Sequence, residues 1–471
     1  MKNTIKFCFA LLWALNLNGQ VIFEEVGAPF PGILFSSIAT ADVDSDGDID
    51  FFICGTSSSE GAFTRLYLNT GNGNFEHATA TILPPNFLGD LELADIDADE
   101  DLDILLTGQY AGVYQTKLLV NNGDLTFTED TDAGFTNGYG GPIRFADIDN
   151  DDDLDVMLMG ITDGGEDIAE LYWNDGAGNF TRDTEQEFPG TYFVESRFAD
   201  VDNDNDLDLL IPDTFETVLY LNDGSGNFSL DPTFDLPACN SGDVLFFDKD
   251  GDGDLDLLMS GVMFAPYNTE TTILYENDGF GNFSFVDDSM FVGVQASHNQ
   301  VGDVDLDGDL DVWIIGISMG ITVNMGVLYL NDGSGNFTAI DSSFFTPVSR
   351  GDGALVDLDN DGDLDLINTG SQIGGARVAE IYENVSVLSV DENTEGSFQI
   401  WPNPTQSVLN IATPFEQIDE LVIYSSSGQR VMELYNLQSL ETIDLEPLAS
   451  GIYYLHLISD RTIQTRKIIK Q

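Results

Sequence analysis

Positive charge is what this chain most lacks. Its 471 residues hold 15 Lys plus Arg against 83 Asp plus Glu, for a formal net charge of -68. A polyanionic partner would be repelled, so nucleic acid and anionic lipid surfaces are excluded as targets. Histidine and cysteine are nearly absent, at three each. That excludes a His-rich metal centre and a disulfide-stapled scaffold. After the first 19 residues no apolar run approaches the length of a membrane span. No GxSxG, HExxH, P-loop or CxxC motif occurs. The three histidines, His77, His298 and His456, lie far apart in sequence. Disorder does not follow from the charge. Hydrophobic residues make up 42% and aromatics 11%, enough apolar surface for a packed core.

The chain opens with an address. Lys2 and Lys6 precede an apolar run from Phe7 to Leu15, and small Gly19 precedes Gln20. Residues 1–19 read as a secretory signal peptide. The mature chain then keeps Cys54 and Cys239, expected as two free thiols because they fall in repeats that are not neighbours.

One nonapeptide recurs seven times, beginning at Asp42, Asp95, Asp147, Asp200, Asp248, Asp303 and Asp357. A period near fifty, with four strand-like segments per unit, predicts an all-β fold: a seven-bladed propeller over 20–386. In each unit a strand runs into the acidic loop and a second runs out of it. A third ends in a turn such as NDGSGNF, whose Asn and Gly suit positive φ, and a Phe-led fourth strand follows. The seventh unit stops at IYENV (381–385) without that fourth strand. VIFEEV (21–26) resembles the missing piece, so the N-terminus is expected to complete the last blade and close the ring, leaving no open sheet edge.

Five alternate positions of every loop are Asp. Position 1 is Asp42, Asp95, Asp147, Asp200, Asp248, Asp303 or Asp357, and position 3 is Asp44, Asp97, Asp149, Asp202, Asp250, Asp305 or Asp359. Position 5 is Asp46, Asp99, Asp151, Asp204, Asp252, Asp307 or Asp361. Position 7 is Asp48, Asp101, Asp153, Asp206, Asp254, Asp309 or Asp363, and position 9 is Asp50, Asp103, Asp155, Asp208, Asp256, Asp311 or Asp365. Alternate carboxylates on a tight loop converge on one point. They suit a hard cation that takes six to eight oxygens, so the expected cofactor is Ca2+, up to seven ions. Positions 1, 3 and 5 would give side-chain oxygens, position 7 its carbonyl, and position 9 would close the sphere. Position 8, always Ile or Leu, would anchor the loop in the blade. Position 6 needs a sharp turn: it is Gly in four loops, while Glu100 in the second loop suits that conformation least.

The loops, the FAD, LAD or VGD before them and the LYLNDGSGNF after them resemble FG-GAP/VCBS repeats. Those repeats build calcium-binding propellers such as the integrin α-chain head and some lectins. The resemblance implies metal loops on one face and ligands on the other. Residues 387–397 read as a polar linker. The segments FQIWPNPTQSVLNI, LVIYSSSGQRV, LASGIYYLHL and the basic terminal strand, within 398–471, resemble the type A sorting domain of the type IX secretion system of Bacteroidetes. That implies a small immunoglobulin-like β-sandwich, the type IX secretion machinery as partner, and a secreted or surface-attached product.

The functional expectation is a non-enzymatic binding or adhesion module for a glycan or protein ligand. The alternative is a calcium-using glycoside hydrolase or polysaccharide lyase. An anionic substrate is disfavoured by the small number of basic residues between the signal peptide and the tail. The ligand face is expected to use Asn86, Phe87, Tyr110, Tyr114, Asn137, Tyr139, Tyr192, Phe193, Phe264, Tyr267, Phe344 and Arg350.

Overall fold

A computed structural model describes residues 21–264, 267–287, 290–320, 322–340 and 342–385, and in the C-terminal part 399–401, 405, 407–425, 430–448, 451–459 and 462–470. The expected signal peptide and linker lie outside the described residues. Contacts divide the chain into two units, Val21–Val385 and a second containing Ser386–Gln471.

The first unit holds seven antiparallel blades of four strands, five as separate sheets and the seventh and first joined into one eight-stranded sheet by the pairing of Ile33 with Val378. Blade 2 is representative: Leu91–Ala94, Asp103–Tyr110, Val113–Asn121 and Phe127–Asp130, each paired with the next. The first strands of the other blades are Ile33–Ala41, Ile143–Ala146, Arg197–Ala199, Cys239–Phe247, Gln295–Gly302 and Gly353–Val356. Each first strand touches that of the following blade, and the seventh touches the first, so the ring closes around a central channel.

The second strands are buried on both faces, as in Asp155–Ile161, where six of seven residues are buried. Such strands read as continuous apolar runs because neighbouring blades cover both sides. The core is accordingly a set of clusters between adjacent blades. One joins Leu105, Leu118 and Ile96 of blade 2 to Val156, Leu158 and Tyr172 of blade 3.

The N-terminal strand Phe23–Glu25 pairs with Arg377–Asn384 in the place of a fourth strand. Phe23 stands opposite Asn384, the register that Phe180 holds opposite Asn174 in blade 3. Phe23 is buried and packs on Phe345, with ring centroids 5.2 Å apart. The expected closure is present, and hydrophobic burial holds it.

In the C-terminal unit, Gln399–Trp401, Val408–Ser425, Arg430–Asp444, Gly451–Ser459 and Thr462–Lys470 form one five-stranded sheet. A core of Leu409, Ile411, Leu421, Ile423, Ile443 and Leu455 lies within this unit. The facing second sheet of an immunoglobulin-like sandwich is not among the described residues. No described helix is long and apolar enough to cross a membrane.

Candidate functional site

The acidic loops connect the first and second strands of each blade. Each is wound by its own aspartates. In six loops the position 1 carboxylate accepts the N–H groups of positions 5 and 6, at 3.1 and 3.0 Å for Asp42, whereas in the seventh the position 5 N–H bonds Asp359 and Asp357 takes that of position 6. The position 5 carboxylate accepts the N–H of position 7, at 3.0 Å from Asp48 to Asp46. Position 9 lies at the root of the loop and is buried in all seven blades. Its two oxygens take the N–H of position 2 and the N–H of the Asn that ends the third strand, at 3.1 and 2.7 Å for Asp50. That Asn also ties the blade to its predecessor, as Asn69 Nδ2 does to the Leu358 carbonyl at 2.7 Å.

Position 9 is therefore first an anchor. Its oxygen still lies within 4.8 Å of ligand atoms at positions 1 and 3 in three of the loops, at Asp50, Asp208 and Asp256. In two others the cluster is formed by positions 1, 3 and 5: Asp95, Asp97 and Asp99, and Asp147, Asp149 and Asp151.

The fit to a hard cation rests on position 3. Asp97, Asp149, Asp202, Asp250 and Asp305 each keep one buried Oδ1 with no hydrogen-bond partner. A buried, unpartnered carboxylate oxygen is costly unless a cation meets it. Burial and the neighbouring Asp307 push Asp305 up to about 6, and burial with Asp361 and Asp365 pushes Asp363 up to about 8. The donor set is all oxygen, which suits calcium.

Two features of the loops were not legible in the sequence. Position 4 is left-handed in every loop as well as position 6, including Ala98 and Leu306, both at φ 58°. Glu100 adopts the same left-handed turn, at φ 72°, without the freedom that glycine has there. In the fifth loop, position 2 is Lys249. Its buried ammonium lies 2.7 Å from Asp250 and 3.5 Å from Asp256, so this loop carries a cation of its own. The turn glycines of the hairpins pack on position 7: a Cβ on Gly176 would lie 2.5 Å from the Asp153 carboxylate.

The opposite face is less regular. Tyr114 and Tyr139 are 4.2 Å apart by ring centroid, Tyr139 and Phe193 6.1 Å, and Phe193 and Tyr192 5.2 Å. The four rings form a ladder across blades 2 to 4. Tyr110 on this side is exposed. Three expected ligand residues also carry structural contacts. Asn86 is fully buried and donates to the Thr107 carbonyl at 2.5 Å. The Asn137 side chain accepts the Thr116 N–H at 2.8 Å. Tyr267 packs against a core cluster of blades 4 and 5.

The channel itself was missed. The residue seven before each acidic loop is left-handed in all blades: Phe35, Leu88, Gly140, Phe193, Ser241, Ala296 and Arg350, with φ between 46° and 73°. These residues form a rim. Phe35 N–H donates to the Arg350 carbonyl at 2.8 Å, Gly140 to Leu88 at 3.0 Å, and Arg350 to Ala296 at 3.2 Å. Left-handed backbone costs an L-residue roughly 1–2 kcal/mol, and such strain persists where the surroundings enforce it.

Below the rim, five residues before the loops, Asp90, Asp243 and Asp352 each accept a backbone N–H of the next blade, at 3.1, 2.7 and 2.7 Å. Among them sit three cations. Arg144 meets Glu92 at 2.8 Å, Asp90 at 3.0 Å, and Glu195. Arg197 Nη2 is 3.5 Å from Asp243. His298 Nε2 is 2.8 Å from Asp352, with Nδ1 3.9 Å from Asp243. Despite burial, those carboxylates raise His298 to about 9. Burial pushes Glu92 up to about 7 in spite of Arg144. Cys54 and Cys239 are both free and buried.

A secretion-system C-terminal sorting domain matches residues 399–471. An FG-GAP-like repeat matches 42–106, 95–158 and 303–367. The chain carries FG-GAP-like repeats and a C-terminal sorting domain. With them come the propeller-like fold and export through the type IX secretion system. No curated protein sequence matches the chain. Among solved structures, an Agrocybe aegerita lectin described for specific recognition of non-reducing terminal N-acetylglucosamine is 20% identical. That match covers 66% of this chain and 82% of the lectin, with a TM-score of 0.45.

Proposed function

We propose that the exported propeller is a calcium-binding module, released or held on the cell surface, that binds a glycan or protein ligand on the face away from its acidic loops and is not an enzyme. The ladder of Tyr114, Tyr139, Phe193 and Tyr192 carries the ligand reading. Contiguous aromatic rings on loops of a rigid scaffold supply stacking area at little entropic cost. The unpartnered position 3 oxygens carry the calcium reading. In an occupied loop, positions 1 and 3 would hold the ion together with position 5 or position 9, position 9 also bracing the loop, and calcium would supply charge neutralisation.

The test is a glycan array run with the mature propeller in calcium and in chelator. Changing Tyr139 and Tyr192 to Ala is expected to lower binding at least tenfold with the calcium-dependent melting temperature unchanged. Binding that survives those changes but is lost on altering the NDGSGNF turns would assign the function to the other face. A second reading, a carbohydrate-active enzyme, is favoured by one observation: Glu92 and Glu195 share the Arg144 guanidinium inside the channel. New reducing ends released from a bound polysaccharide would decide for it. Export is tested separately. A chain ending at Ser389 is expected to accumulate in the periplasm of the native host.

A further inference from the structure

The central channel opens into a cavity of about 790 Å³, lined from the rim down to Thr40 and Leu93. Its lining stops two residues short of the acidic loops that begin at Asp42 and Asp95, so it lies along the first strands inside the ring. The volume falls in the range of small-molecule sites, roughly 300–1,000 Å³.

Its charge sets it apart from the rest of the molecule. Four carboxylates line it: Asp90, Glu92, Glu195 and Asp352. Four cationic groups line it as well: Arg144, Arg197, Arg350 and His298. The formal sum is zero with His298 protonated, on a chain whose net charge is -68. Three of the six arginines between residues 21 and 385 are gathered here. The total count of basic residues thus says little about this one place. Arg350 stands exposed at the rim, but the cations of the wall below it are not free to meet an anion. Arg144 already faces three carboxylates, and Arg197 and His298 face Asp243 and Asp352.

A charged group reaching the wall below the rim would have to displace one partner of a desolvated pair and leave the other uncompensated, which is expensive. A neutral polyhydroxylated ligand would not. Each hydroxyl both donates and accepts, so it can give a hydrogen bond to a carboxylate and take one from a guanidinium without breaking either pair. The rim adds an apolar surface. Phe193 is 43% exposed, and Phe35 lines the same mouth. Sugar rings present an apolar face to such side chains while their hydroxyls stay in the plane of the polar groups.

We propose that this cavity binds a neutral saccharide, with Glu92, Glu195 and Arg197 hydrogen-bonding its hydroxyls and Phe193 stacking on a ring at the mouth. This rests on the glycan-binding reading above and names both its ligand class and its place.

The test uses the calcium-loaded mature propeller. Calorimetry is run with maltotriose, laminaritriose and xylotriose as neutral probes, and with trigalacturonate and trilysine as charged ones. At least one neutral probe is expected to bind. Glu92→Gln with Glu195→Gln keeps the shape of the Arg144 cluster and is expected to lower that affinity at least tenfold. Ala296→Trp removes no ion pair and stands on blade 6, away from the aromatic ladder; it fills the mouth and is expected to abolish binding. Both variants should melt as the parent does in calcium. Neutral binding indifferent to both variants overturns the cavity site while leaving glycan binding by the outer face intact. Preference for trigalacturonate or trilysine overturns the neutral class. Binding of none of the five probes overturns the proposal, and the array then decides whether the broader reading stands.

Discussion

The two ends of the propeller are made from the same seven strands but obey different rules. On one face, seven loops repeat the same five aspartates and the same left-handed positions. At the other end only the backbone repeats. The rim is left-handed in every blade, yet its residues are as different as Phe35, Leu88, Ser241 and Arg350. The strands below carry Glu92 in blade 2, Arg144 in blade 3, Arg197 in blade 4 and Gln300 in blade 6 at equivalent positions. A loop that must wind around a cation tolerates little change in any copy. A wall that must fit one asymmetric ligand needs its seven copies to differ. Repetition therefore marks what holds the ring, and divergence marks where selectivity can reside.

The largest expected effect lies on the repeated face. If calcium fills the loops as proposed, each site at a hundredfold excess over Kd would add about 2.7 kcal/mol, and seven would add about 19 kcal/mol. Chelation should then lower the melting temperature on the order of 20 °C or more. A scanning calorimetry trace that is the same in calcium and in excess chelator would break the comparison at its root.

Next comes the charged network of the channel. Arg144→Met would leave Asp90, Glu92 and Glu195 without their common counter-charge, at a cost of about 3–5 kcal/mol. The loss should appear in denaturant unfolding at saturating calcium and leave the calcium stoichiometry unchanged. A changed stoichiometry would mean that the two ends are not independent.

His298 makes this end sensitive to pH. Its folded pKa, about 9, is raised above the ordinary 6.5 by Asp352 and Asp243. The stabilisation is full below about pH 6.5 and is lost as pH rises from there through 9. It amounts to about 3 kcal/mol at the low end. His298→Gln should therefore destabilise the protein at pH 6 and have little effect at pH 10. Equal destabilisation at both values would assign His298 a packing role only.

The smallest effects separate one loop from another. Lys249 already neutralises part of the fifth loop, so Lys249→Val should raise calcium affinity there by about 1 kcal/mol, roughly fivefold. Glu100→Gly should strengthen the second loop by a similar amount, by removing the strain of a left-handed Glu. Site-resolved occupancy that is lowest at a loop other than these two would show that neither the internal cation nor the turn residue controls affinity.

The sequence by itself determined the blades, the loops and the closure. These follow from short-range rules: alternation sets the strand faces, Asn and Gly set the turns, and a Phe-led strand missing at one end and present at the other sets the join. All of this is periodic, so seven copies reinforce one reading. The division of labour among the loop aspartates was not legible, because burial of position 9 depends on the Asn that ends the third strand, 14 to 21 residues further on. Nor was the burial of Asn86, since nothing local distinguishes it from exposed Tyr110. The channel was decided by tertiary structure alone. Glu92, Arg144, Glu195 and His298 stand about fifty to two hundred residues apart and meet only because ring closure brings the first strands of all blades to one axis. Composition averages charge over the whole chain, whereas a closed ring concentrates the few cations that point inward. That concentration is a property of the axis, which no single repeat contains.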